Sequence, residues 1–205
     1  MAEFWQMHIA RNFIEKDRWQ YLASGLGNTV LITLGALVLG VVLGAVIAII
    51  RVSHDKEDHP GAALKFLNAL ARVYLAVIRG TPVMVQLLIA YYVIFVAWDP
   101  GKMMVAIIAF GLNSAAYVAE IVRGGIMSID PGKMEAGRSL GLSYRQTMVS
   151  IILPQAIKNV LPALCNEGIA LLKETSVSGY IALGELTRGA MQIASQTYDY
   201  FPPLL

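Results

Sequence analysis

The sequence predicts an all-α, polytopic membrane protein, and three observations carry that prediction. Of 205 residues, 57% are hydrophobic and only 15% charged, with a mean hydropathy of +0.60, whereas an ordinary soluble domain is about a quarter charged. Residues 22–50 run for 29 positions without a charge, and about 20 apolar residues suffice to span the hydrocarbon core as a helix. Further apolar segments follow, separated by polar breaks marked with proline and glycine, so the expectation is four crossings. No repeat with a period of roughly 20–50 residues recurs, which excludes a solenoid or array.

Composition removes other classes. A net charge of +2 and the lack of a basic cluster with interleaved aromatics argue against nucleic-acid binding. The single cysteine, Cys165, excludes an internal disulfide and a multi-cysteine metal site; in an apolar helical stretch it reads as a packing residue. The first twenty residues hold Glu3, Arg11, Glu15, Lys16, Asp17 and Arg18 with no apolar core. That argues against a cleaved signal peptide and leaves insertion to the first crossing.

Residues 2–20 carry Phe4, Trp5, Ile9, Phe13 and Trp19 among charges, which suits either an interfacial segment or disorder. Leu22 to Ile50 is the first crossing. Its Gly40 and Gly44 form GxxxG, read either as a close helix contact or as glycines common in membrane helices. Arg51 to His59 is a hydrophilic break ended by Pro60-Gly61. Its histidines and acids read as a solvated loop rather than a metal shell. Gly80 to Trp98 is the second crossing, prolonged backward through Ala62 to Ile78 along the surface or membrane edge. Arg79 snorkels at the boundary and Pro82 kinks the helix. Asp99-Pro100-Gly101-Lys102 is a tight turn. Met103 to Ala119 is the third crossing, leaving through Glu120 and Arg123, spaced i, i+3 for a mutual pair. Ser150 to Ser178 is the fourth, interrupted at Pro154 and Pro162.

Between the last two crossings, Asp130 to Pro154 is polar, basic and strongly punctuated. Asp130 is a good N-cap and Pro131 suits the first helical position, predicting a helix over 131–140. Gly141 supplies the left-handed residue that ends it, and Ser143 with Gln146 forms a capping box for a second helix. So charged a helix cannot lie in lipid. Nine lysines and arginines flank this side of the membrane against six on the other, placing the loop over 124–150 in the cytosol and the segment 1–21 outside.

Glu135-Ala136-Gly137, Gly141 four positions later and then Ile152-Leu153-Pro154 resemble the EAA loop of permease subunits of ABC importers. Arg79-Gly80-Thr81-Pro82 with Gln86, and Ala115 to Gly125, resemble the polar amino acid subfamily. Gly137 departs from the pattern, which usually has alanine there. The resemblance covers residues 25–200 and implies a type I importer transmembrane domain over 22–205 in the bacterial inner membrane. It also implies that Glu135, Ala136, Gly137, Arg138, Leu140 and Gly141 dock on an ATP-binding cassette subunit. That partner holds ATP and magnesium; none is expected in this chain. A second permease subunit and an extracytoplasmic binding protein complete the implied assembly. Asp199 to Pro203 reads as the lead-in to a fifth crossing, with the expectation that the chain is shortened at this end.

Helical rise puts Glu167 about 14 Å beyond Lys158 and near the middle of a core roughly 30 Å thick. An ionisable group there must face a partner or a wet path. Asn166 and Lys173 share one face and Glu167 and Glu174 another, which suits a zwitterionic substrate. The other reading is a structural ion pair of Glu167 with Lys173 or with an arginine of another helix.

The residues also offer a footing for two different functions. Gly137-Arg138-Ser139-Leu140-Gly141 matches G-x-S-x-G, but a nucleophile elbow needs a strand-turn-helix and a histidine base, and Ser139 falls in a predicted helix. A secondary transporter or channel would show inverted repeats or paired broken helices, and none is visible.

Overall fold

The computed structural model describes residues 7–57 and 59–205, and among them every regular element is helical. The first long helix, α1, spans Trp19–Lys56. It outruns the expected first crossing at both ends, because nothing in Arg51–Lys56 breaks a helix before Pro60-Gly61. The expected hydrophilic break therefore starts at Glu57. Helix α2 follows as Ala62–Gly80, then α3 as Val83–Ile89, continued by a π-helical turn over Ala90–Ile94.

The axes of α2 and the Val83–Ile94 segment differ by 107°. The expected second crossing over 80–98 with a kink inside it is thus corrected to two helices meeting at a corner. Pro82 is the cause: it has no N–H to continue α2, and it forces the preceding residue out of the helical region. Thr81 is extended, with φ −121° and ψ 144°. The Asp99–Lys102 turn forms as expected, with positive φ at Asp99 (37°) and Gly101 (86°).

Helix α4, Lys102–Met127, runs eight residues past Ala119. Helices α5, Pro131–Ser139, and α6, Tyr144–Thr147, make the punctuated loop. A π-helical turn over Met148–Ile152 leads into α7, Leu153–Glu174, and a 3-10 stretch over Thr175–Ile181. Tyr144–Ile181 is therefore one 38-residue run. The expected interruption at Pro154 and Pro162 does not occur, because the wider π turn just before Pro154 absorbs the hydrogen bond that the proline cannot make. Helices α8, Leu186–Thr197, and α9, Phe201–Leu204, close the chain. Three helical runs, Trp19–Lys56, Lys102–Met127 and Tyr144–Ile181, are long and apolar enough to cross a membrane, and the bent α2–α3 pair makes a fourth if it counts as one span.

The core is the seam between α1 and α4. Gly35 faces Ile107, Gly40 faces Ser114 and Gly44 faces Val118, so the two helices advance together and run parallel. A Cβ on Gly40 would stand 2.7 Å from the Ser114 Oγ, and one on Gly44 2.7 Å from the Val118 Cβ. The GxxxG stretch is a close helix contact, as such spacing permits. Ile32, Ala36, Leu87, Phe110 and Leu171 fill the seam's outer half.

The N-terminal segment docks on the other end of the chain. Asn12, fully buried, donates to Asp199 (2.9 Å) and accepts from the Thr197 hydroxyl (2.7 Å), while Arg11 donates to the Thr197 carbonyl (2.6 Å). Residues 7–18 are thus held by tertiary contacts that no pattern in the sequence announced. Of the expected interfacial aromatics, Phe4 and Trp5 lie outside the described residues.

Candidate functional site

Helix α5 owes its shape to its own ends. Asp130 accepts from the Gly132 N–H through Oδ1 (2.8 Å), and Pro131 occupies the first turn. At the other end the Leu140 N–H reaches the Ala136 carbonyl (3.1 Å) and the Leu142 N–H the Gly137 carbonyl (3.1 Å), with Gly141 at φ +86°. The helix ends at Ser139, one residue before expectation. Ser143 and Gln146 form the full capping box, Ser143 N–H to Gln146 Oε1 at 2.8 Å and Gln146 N–H to Ser143 Oγ at 3.3 Å. A short rigid helix, a left-handed joint and a second capped helix result.

This unit exposes a defined face. Glu135, Ala136, Arg138 and Gly141 are exposed and Leu140 is 82% so, while Gly137 is buried against Thr147. Lys133 donates to the side-chain carbonyl of Gln155, and Asn159 to the Ser128 hydroxyl (3.1 Å), which tie the loop to α7. Beside α5 lies a cleft of about 370 Å³ lined by Ile126, Met127, Pro131, Met134, Glu135 and the Lys56 end of α1.

The expected pairing of Glu120 with Arg123 is corrected. Glu120 lies 3.8 Å from Arg51, and Arg123 donates to Asp55 from both Nε (3.0 Å) and Nη2 (2.7 Å). Each finds its opposite charge on α1, because the parallel seam brings the two helix ends together and a cross-helix partner outcompetes an i, i+3 neighbour. The polar ends of α1 and α4 are thereby latched to each other.

On α7, Glu167 and Glu174 are half-buried and share one face, while Asn166 and Lys173 are exposed on another. Glu167 turns toward α4, where Ser114 is its neighbour, and Glu174 lies within reach of its charge. The four residues thus form two faces rather than one ring, and among the described residues Glu167 makes no ion pair with Lys173 or an arginine.

At the α2–α3 corner the Arg79 guanidinium stacks 5.6 Å from the centre of the Tyr117 ring, a cation–π contact. Gln86 was legible only as part of a motif. Its amide donates to the carbonyls of Ile78 (2.8 Å) and Thr81 (3.1 Å) and to the Thr81 hydroxyl (2.7 Å), and its oxygen accepts from Asn113 (3.0 Å). It satisfies carbonyls that α2 strands where it stops. Glu185, 2% exposed, went unnoticed; it caps α8 by accepting from the N–H groups of Thr187 (2.7 Å) and Arg188 (2.6 Å).

The family model described as the binding-protein-dependent transport system inner membrane component matches residues 62–202, from the start of α2 into α9. The chain belongs to this family. The arginine transport system permease protein ArtQ of Bacillus subtilis is 36% identical over 187 residues, covering 90% of this chain and 81% of the relative. The L-cystine transport system permease protein TcyB of the same organism is 34% identical over 194 residues, 93% and 78% of the two chains. A crystal structure of an amino acid ABC transporter with histidines superposes with a TM-score of 0.79 at 41% identity, covering 90% and 83%. The inward-facing MetNI methionine ABC transporter superposes at 0.69 with 21% identity, which shows a shared fold.

The all-α fold is thus that of an inner membrane component, a permease of the ABC importer class. In such a component Ser139 has a local job: its hydroxyl donates to the Glu135 carbonyl (2.9 Å) within the last turn of α5. A serine bonded back into a helix is not poised on a strained elbow, and the G-x-S-x-G match is a by-product of the helix end.

Proposed function

We propose that this chain is the membrane-spanning subunit of an importer for polar amino acids, driven by ATP that separate cassette subunits hydrolyse. The observation that carries the reading is α5: exposed, rigid from its own caps, and bordering a cleft shared with the Lys56 end of α1 and the Ile126–Met127 end of α4. A lever of this kind passes motion from a docked partner into α1 and α4. Glu135, Ala136, Arg138, Leu140 and Gly141 form its docking face, in the cytosol, with residues 1–21 on the opposite side of the bacterial inner membrane. Gly137 anchors the lever from behind. ATP and magnesium belong to the cassette partner, and this chain carries no cofactor.

Two such permeases, identical or related, enclose the path, and an extracytoplasmic binding protein delivers substrate. The substrate class follows from relatives named for arginine, cystine and glutamine transport. Glu167, with Glu174 one face-length on, lines the path, and Asn166 and Lys173 face the second subunit or lipid. Arg79, Pro82 and Pro154 shape the gate-forming helices. Uptake into vesicles holding the whole complex tests the reading: it should stop when ATP is withdrawn while the ion gradient is kept, and continued uptake would favour a secondary transporter or channel instead.

A further inference from the structure

Helix α2 carries a row of cations of which the transport reading uses only Arg79. Lys65, Arg72 and Arg79 stand seven residues apart and are all exposed. Each seven-residue step rises about 10.5 Å and drifts only about 20° around the axis, so the three form one nearly straight row. Among the described residues none of them takes part in an ion pair. Beside this row, at the same spacing, run Ala62, Ala69 and Ala76, also exposed. Beyond the alanines the surface is apolar: Phe66 is 63% exposed and Val73 62%. The packed side, Asn68, Ala71 and Leu75, lies on the other flank of the cations.

The orientation of α2 brings this row to the right depth. Tyr74 donates to the Leu112 carbonyl, Leu75 and Ile78 cluster with Ala116 and Ala119, and Arg79 covers Tyr117. The last turns of α2 therefore cross α4 within a narrow band, while Leu87 and Ala90 climb toward Val105 and Ala106. With the 107° corner, α2 runs obliquely from the polar end of α1 into the bundle.

We propose that α2 holds an anionic phospholipid, with its phosphate on Lys65 and Arg72 and an acyl chain lying along Ala69 and Ala76 toward the α2–α3 corner. Two cations near the polar end of α1 supply the attraction for one negative headgroup. The alanines, without bulk, leave the channel for its chain. A zwitterionic lipid of the same chain length fits the lane but gains nothing net from the cations.

The test is titration of phosphatidylglycerol and phosphatidylcholine onto the purified, intact transporter complex in detergent, read by native mass spectrometry. Wild-type protein should bind phosphatidylglycerol preferentially. Because a lysine or arginine near an anionic surface contributes roughly fivefold each, Lys65→Gln with Arg72→Gln should weaken that binding by about twentyfold or more and leave phosphatidylcholine unchanged. Ala69→Trp, which blocks the lane with the cations intact, should also displace the lipid, and it decides the matter if the charge variant does not assemble. Equal binding of both lipids, unaltered binding by either variant, or competition by soluble glycerol phosphate as strong as by the lipid would overturn the proposal. So would cross-linking of Ala69→Cys, in a Cys165→Ser background in native membranes, to a second copy of the chain, since protein would then cover the face.

Discussion

Gly137 lies so close to Thr147 that a Cβ on the glycine would stand 2.5 Å from the threonine's Cγ2 and 2.9 Å from its Oγ1. Thr147 is fully buried, and its hydroxyl donates back to the Ser143 carbonyl (3.1 Å). Loops of this kind usually carry alanine where Gly137 stands. Here Thr147 occupies the space that such a methyl group would need.

Gly137→Ala should therefore destabilise the loop by about 1–3 kcal/mol, the usual range for overpacking. Thr147→Ala removes both contacting atoms, so the double variant should recover most of the loss. Limited proteolysis within 131–147 across the four proteins measures the coupling; additive losses in the double variant would show that the two residues do not interact.

At the proposed docking face, Glu135→Lys reverses an exposed charge, and Gly141→Trp puts a large side chain at a residue held at φ +86°. Both should release the cassette subunits while the membrane part keeps its thermal stability in detergent. Co-purification at wild-type stoichiometry in both variants would refute the assigned face.

Along the α1–α4 seam, a Cβ on Gly44 would meet Val118 at 2.7 Å and the Ala115 carbonyl at 2.9 Å. Gly44→Val should cost about 1–3 kcal/mol or more, since backbone cannot yield as a flexible side chain does. Gly27→Val on the same helix, where a Cβ meets nothing within 4 Å, is the control and should melt near wild type.

Gln86→Leu removes the donor that serves Ile78 and Thr81 and the acceptor that serves Asn113. Stranding such groups costs about 1–3 kcal/mol, and the α2–α3 corner should loosen. Spin labels at Val73 and Val93 report the corner as a distance: a broadened distribution is expected in the variant, and an unchanged one would mean that Pro82 alone sets the angle.

Asp199 is held below the ordinary carboxylate range by hydrogen bonds from His8 and Asn12. A depressed folded pKa means that its contribution is present above the unfolded value, near pH 4, and is lost as pH falls through the folded one. The hydrogen-exchange protection of residues 7–18, taken relative to the intrinsic rate at each pH, should thus hold down to about pH 4 and fall only below that. Asp199→Asn should remove the acid step; its persistence would place the titrating group elsewhere.

Much of the loop was legible because its information is local. Asp130, Pro131, Gly141, Ser143 and Gln146 each act on backbone groups within four residues, so their identities suffice to set helix starts and stops. The crossings were legible in bulk, since a charge-free stretch such as residues 22–50 has few places to go but lipid. Their ends were not, because nothing in Arg51–Lys56 or Glu120–Arg123 marks a helix stop, and a change to polar composition does not by itself end a helix. The α7 residues show the same division: periodicity put Glu167 with Glu174 and Asn166 with Lys173, but only packing decided which pair turns toward α4.

By itself the sequence determined that this is a helical membrane protein with a self-capped helical loop between its last long helices, because composition and short-range hydrogen bonding need no distant partner. Tertiary structure alone decided that Arg123 reaches Asp55, 68 positions away, that α2 turns a corner into α3, and that Asn12 is sealed against Thr197. Those outcomes depend on which surfaces meet when the helices pack, and a side chain's partner across a seam is chosen by proximity in space.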